Sequence, residues 1–230
     1  MADRSRMFHI DGKSMVTWNC WVGCDFQCSY CSARKLAFTR LKNSPRYIDG
    51  FSPHQVTDKL NRKFKPDTWV FIGYMGDISF APRAFIVDLC ARISSQPEVK
   101  FLFCTKNPTK YITWHITWPD NLYLGATIET NRDYKLSRAP IPLFRYRSMQ
   151  SLVHPKKFIS IEPIMDFDLG EFLTWIERIK PEIVEVGADN YRNKLPEPKA
   201  YKVQSLLNGL RNICPNVIEK VGLSRLKDAI

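Results

Sequence analysis

Six short, β-prone apolar runs recur along the chain, and the stretch between each pair has room for a helix: Met15–Asn19, Trp69–Ile72, Val99–Cys104, Leu122–Ile128, Phe158–Ile161 and Ile183–Val186. Runs this apolar read as strands covered on both faces, the condition of a parallel sheet. Amphipathic helices are expected between them. Ile86, Leu89, Cys90 and Ile93 fall at helical spacing after Pro82, as do Leu169, Phe172, Leu173, Ile176 and Ile179, and later Val203, Leu206, Leu207, Leu210 and Ile213. Ser52 and Pro53 predict a further helix from that point to about Phe64, ended by Pro66. From Asn131 onward Pro140 and Pro142 interrupt the pattern, so the next helical piece is expected near Tyr146–Val153. Val217–Val221 is a candidate final strand. Strict alternation of strand and helix predicts an α/β fold, a partial (β/α)6 TIM-like barrel, because 230 residues leave little room for eight units. No internal repeat or linker divides the chain, so one domain spanning residues 1–230 is expected.

The residues just past the strand ends carry the chemistry. The first run leads into Cys24-Asp-Phe-Gln-Cys28-Ser-Tyr-Cys31, a C-x3-C-x2-C loop. The later runs end at Gly76-Asp77, Lys106, Glu129, Glu162 and Asp189-Asn190-Tyr191. In a (β/α) barrel this edge is where active sites are built. Three thiolates on one loop can bind three irons of a cubane and leave one corner open, whereas a closed structural zinc or ferredoxin-type site takes four ligands. Cys20 lies close enough to make a four-cysteine zinc site the rival arrangement. The cluster has a single C-x2-C pair, however, and zinc ribbons use two, so Cys20 is expected outside it. Cys90 and Cys214 are expected in the core, Cys104 in the core or the barrel lumen. The histidines show no metal-ligand spacing.

Hydrophobic residues make up 44% of the chain and aromatic residues 13%, a globular composition without a long apolar membrane span. Residues 1–11 are charged and lack an apolar signal region, which predicts a cytoplasmic protein with reduced thiols. The net charge of +11, from 34 basic and 23 acidic residues, predicts a positive field and makes nucleic acid a candidate partner. No helix-turn-helix, zinc-finger or RNP-type motif accompanies it.

With Tyr30 just before its last cysteine, the C-x3-C-x2-C loop resembles the signature of the radical S-adenosylmethionine (SAM) superfamily. Thr17-Trp18-Asn19, Met75-Gly76-Asp77, Thr105-Lys106-Asn107-Pro108, Leu124-Gly125 with Glu129, Ser160-Ile-Glu162-Pro163 and Val186-Gly187 extend the likeness. Together they are similar to a group of short radical SAM proteins of phages and bacteria whose reaction is unassigned. The resemblance implies a radical SAM core in which Cys24, Cys28 and Cys31 hold a 4Fe-4S cluster. The open iron there binds the amino and carboxylate groups of SAM, and an electron from an external donor splits it to a 5′-deoxyadenosyl radical. Tyr30 is then expected beside the adenine, and Gly76 and Asp77 at the amino group. Lys106 is expected at the SAM carboxylate or a substrate phosphate, and Glu162 at SAM or substrate. Glu129 is expected at the ribose or methionyl group, or paired with Arg132 or Arg138 across the barrel rim. Two departures stand out: Ser32 and Cys20 where relatives tend to have Tyr-Ala and proline, and Gly187-Ala-Asp189-Asn190 where they tend to have Gly-Gly-Glu-Ser. The expected activity is that of a radical SAM enzyme on an unknown substrate, nucleic acid or nucleotide first. The alternatives are a noncatalytic iron-sulfur or zinc nucleic-acid-binding module and an enzyme of small molecules or peptides.

Overall fold

Seven parallel strands lie side by side in simple chain order: β1 (Val16–Trp18), β2 (Trp69–Ile72), β3 (Lys100–Thr105), β4 (Leu122–Thr127), β5 (Lys157–Ile161), β6 (Ile183–Val186) and β7 (Asn216–Glu219). The computed structural model describes residues 9–10 and 13–227, so most of the charged stretch 1–11 lies outside the described residues. The crossovers carry α1 (Ser32–Phe38), α2 (Arg83–Ser94), α3 (Thr109–Thr113), α4 (Pro142–Ser151), α5 (Leu169–Ile179) and α6 (Ala200–Ile213), and α7 (Ser224–Lys227) follows β7. When each right-handed crossover returns beside the strand it left and always advances the same way, every helix lands on one face. Twist then curls the sheet around its other face. The result is an open half-barrel, the partial TIM-like core expected, with seven strands where six were counted and Asn216–Glu219 as the seventh.

Alternation along each strand separates two apolar layers. Val70, Ile72, Phe101, Phe103, Leu122, Leu124, Ile159, Ile161, Val184 and Val186 face the helices and form the main core with α2, α5 and α6. Trp69, Phe71, Leu102, Tyr123, Phe158 and Ile183 face the lumen. Gly125 sits on the lumen side of β4, where a Cβ would come within 2.9 Å of the Phe158 ring and 2.6 Å of the Phe103 carbonyl, so glycine lets that ring fill the floor. Above this floor the lumen turns polar.

Two sequence expectations fail locally. Residues 52–64 form no helix: His54–Gln55 pairs antiparallel with Trp21–Val22, and Thr57–Lys59 makes a single 3-10 turn. The reason lies in packing. Val56 belongs to the core beneath the cysteine loop, whereas Leu60 and Phe64 pack on the main core, and one helical stripe cannot face both. The next helix begins at Pro142, earlier than expected, because proline at the first helical position sacrifices no intrahelical hydrogen bond.

Candidate functional site

Two glycines set the cysteine loop against the sheet. Gly23 takes φ of +83°, and a Cβ there would lie 2.1 Å from the Ser52 carbonyl oxygen. At Gly76 a Cβ would lie 2.7 Å from the Gly23 carbonyl oxygen. The two backbones therefore approach closely enough to extend β1 and β2: Gly23 N donates to Met75 O (2.9 Å) and Asp77 N to Gly23 O (3.1 Å). From the sides, Cys24 N donates to Phe51 O (3.0 Å), Ser29 N to Leu136 O (3.0 Å) and Arg138 N to Phe26 O (2.7 Å). The loop is clamped on three flanks.

Cys24, Cys28 and Cys31 are free thiols, half-buried, on the wall of one cavity of about 240 Å³ at the strand ends. Phe26 N approaches Cys24 Sγ (3.5 Å) and Arg34 N approaches Cys31 Sγ (3.3 Å). Burial pushes the Cys24 and Cys28 thiols up, and carboxylates and neighbouring sulfurs push the same way. A cationic metal reverses that balance and expels the protons. Among the described residues no three His, Cys, Asp or Glu side chains converge closely enough to hold one metal ion. A cubane takes each thiolate on a different iron, and three free cysteines on one cavity wall supply such a donor set. Cys20 is fully buried in the main core among Trp18 and Trp21, with burial pushing its thiol up to about 12. It lies away from the cavity wall.

Asp77, Lys106, Glu162 and Asp189 line this cavity and Glu129 lines a neighbouring one behind Tyr30, but several are already engaged. Asp77 Oδ1 accepts from Ser79 N (2.9 Å) and Thr105 Oγ1 (2.5 Å), and Oδ2 from Lys106 N (3.0 Å). Its carboxylate caps the turn toward Pro82 and ties β2 to β3. The Gly76 carbonyl beside it accepts no hydrogen bond among the described residues. Glu129 is buried and triply held: Tyr30 Oη and Lys106 Nζ donate to Oε1, and Arg145 Nη1 to Oε2 (2.5 Å). Burial opposes its charge, but Lys106 and Arg145 outweigh it and hold the carboxyl down at about 2. The expected partners Arg132 and Arg138 are elsewhere. Arg132 binds Asp166 and Asp168, and Arg138 reaches the cysteine loop through its backbone. Arg145 takes their place because α4 starts early enough to bring its first turn under the rim. Lys106 Nζ also lies 5.3 Å from the Tyr30 ring centroid.

On the far wall Glu162 pairs with Lys220, and Ser160 Oγ donates to Glu185 Oε1 (2.6 Å). The Asp189 carboxylate accepts from Tyr191 N (3.0 Å) and from Asn193, so it shapes its own loop. Cys104 lies in the lumen, 3.5 Å from Thr127 Oγ1, while Cys90 and Cys214 are core residues. Arg145, Glu185 and Lys220 escaped the sequence reading. For Glu185 a signal existed, since it is the one charge inside the apolar run Ile183–Val186 and shares the lumen parity of Ile183.

Glu185 gives a pH prediction. Burial pushes its carboxyl up to about 8, against the pull of Lys220. A pKa raised by folding contributes stability that is full below the ordinary carboxylate value and lost as pH rises through the folded value. Wild type is therefore expected to lose stability from roughly pH 5 to pH 8, and Glu185→Gln to lack that loss. Thermal melts across this range check it, and parallel curves for the two proteins contradict it.

A model of the family described as "Protein of unknown function (DUF5131)" matches residues 12–180. No curated protein matches the sequence. Among solved structures, a cysteine-to-serine mutant of spore photoproduct lyase aligns with TM-score 0.60 at 11% identity, over 93% of this chain and 78% of that one. Another lyase mutant, with bound AdoMet and dinucleoside spore photoproduct, aligns with TM-score 0.55 at 11% identity, over 94% and 79%. A third, complexed with dinucleoside spore photoproduct, gives 0.56 at 9% identity, over 87% and 74%. At these identities the likeness is one of fold, an open parallel half-barrel flanked by helices.

Proposed function

The chain belongs to the family described as "Protein of unknown function (DUF5131)", and from that footing we propose that it is a single-domain radical SAM enzyme acting on nucleic acid or a nucleotide. One observation carries the reading: three free cysteines share the wall of a cavity at the strand ends of an open parallel barrel. Cys24, Cys28 and Cys31 hold a 4Fe-4S cluster, one iron each. Together the cluster and SAM, when bound, supply a 5′-deoxyadenosyl radical, with the electron coming from an external donor.

The chain's own residues bind, orient and shield. The Gly76 carbonyl accepts from the SAM amino group, while Asp77, engaged with β3, fixes the loop that presents it. Lys106 supplies positive charge at the cavity wall and, with Glu129, sets the Tyr30 ring. Phe71, Tyr74 and Cys104 wall the lumen and keep bulk water from a reactive centre. The substrate class rests on the charge of +11 and on the fold shared with a lyase that holds a dinucleoside. Among the described residues no helix is long and apolar enough to cross a membrane.

Anaerobic protein loaded with iron and sulfide, given SAM and dithionite, is expected to release 5′-deoxyadenosine, and Cys28→Ala to release none. A fully loaded wild type that leaves SAM intact contradicts the enzyme reading. In the same preparation, binding to single-stranded DNA or RNA should weaken as salt rises. Absence of binding even at low salt moves the substrate to small molecules or peptides.

A further inference from the structure

The cavity wall opposite the cysteines, built past the ends of β5 and β6, carries the acceptor oxygens of Ser160 and Glu162. Lys220 Nζ donates to Glu162 Oε2, which leaves Oε1 without a partner among the described residues. That oxygen lies where a side chain at position 187 would be: a Cβ on Gly187 would sit 2.7 Å from it, so Gly187 makes the space the carboxylate occupies. Ser160 lies on the cavity wall with its Oγ hydrogen-bonded to Glu185 Oε1. Behind them Glu185 is fully buried, its Oε2 lacking a hydrogen-bond partner and 3.9 Å from Lys220 Nζ. Tyr74 and Tyr191 line the same cavity.

Resting on the nucleic-acid reading above, we propose that this wall is a substrate subsite for the amino-bearing edge of a nucleobase. Glu162 is its acceptor, and Lys220, Glu185 and Gly187 are positioning residues. An exocyclic amine has N–H donors for the open Glu162 oxygen, whereas a phosphate would meet the carboxylate charge. Glu185 acts by staying neutral. The groups facing it are Ser160 on β5 and Glu162 just past it, Lys220 after β7, and Cys104 on β3, with Tyr74 near Lys220. Only Lys220 is cationic, and burial pushes Glu185 up to about 8, so at neutral pH the ammonium stays with Glu162.

The test measures binding without turnover, so it stands whether or not SAM is cleaved. Deoxycytidine, deoxyadenosine and thymidine are titrated into reconstituted protein at pH 7 with SAM present. Deoxycytidine or deoxyadenosine is expected to bind more tightly than thymidine, and Glu162→Gln to weaken that binding roughly tenfold or more, the loss typical of a charged hydrogen-bond partner. Between pH 7 and pH 9 wild-type affinity for these nucleosides is expected to change as Glu185 ionises and competes with Glu162 for Lys220, and Glu185→Gln to lack that change. Equal binding of all three nucleosides, or unchanged affinity in a Glu162→Gln protein that melts like wild type, overturns the proposal. So does displacement of the amino-bearing nucleosides by SAM, which would give the wall to the cofactor.

Discussion

Glu129→Ala is expected to destabilise the folded chain by about 3–5 kcal/mol, the cost of breaking a buried ion pair from one side. The substitution leaves two cations, Lys106 and Arg145, at a buried position with no counter-charge. Arg145 is 4% exposed and can reach only the Pro140 and Thr127 carbonyls once the carboxylate is gone. Tyr30 loses its acceptor as well. The damage therefore spreads to the cysteine loop, because the phenol of Tyr30 is one of the ties between that loop and the end of β4. Glu129→Gln, which keeps an acceptor without the charge, should fall between wild type and alanine. Acid should act in the same direction. A carboxyl held down at about 2 contributes stability present above its ordinary value near 4.5, and that stability drains away as pH falls through the folded value. Urea denaturation of the two variants at neutral pH, with wild type followed down in pH, measures this directly. A Glu129→Ala cost below about 1 kcal/mol would mean that the cations find solvent, as exposed pairs do, and that the network does not organise the rim.

How much of this was legible from the sequence depends on the range of the interaction concerned. Strands such as Trp69–Ile72 and Ile183–Val186 announce themselves because both faces are covered, and covering demands apolar residues at every position. The position of Gly76, Asp77, Lys106, Glu129 and Glu162 just past strand ends followed from those strands alone. What they bind did not. For Glu129 the sequence offers a contact to the SAM ribose or methionyl group, or an ion pair with Arg132 or Arg138, its neighbours in sequence. Its true partner Arg145 depends on where α4 begins, which turns on how Pro142 is used rather than on its presence. The Ser52–Phe64 segment misled for a related reason. Its helical signals were real, but Val56 and Phe64 are drawn into different cores, and backbone pairing of His54–Gln55 with Trp21–Val22 outweighs local propensity. The approach of Lys220 to Glu162 and Glu185 joins segments more than thirty residues apart, and none of the three residues advertises it. Close approaches such as that at Gly23 are likewise visible only once both backbones are placed.

The cysteine loop is the point on which the functional account turns, and metal content is its most direct test. Wild-type protein and the variants Cys20→Ala and Cys28→Ala are reconstituted anaerobically with iron and sulfide, and metal and sulfide are counted per chain. Wild type and Cys20→Ala are expected to hold about four irons with matching sulfide, and Cys28→Ala to lose them, because Cys20 is a core thiol while Cys28 lines the cavity. Zinc in place of iron, or equal loss of metal in a Cys20→Ala protein that still melts cooperatively, would contradict the three-cysteine site and favour a four-cysteine binding module.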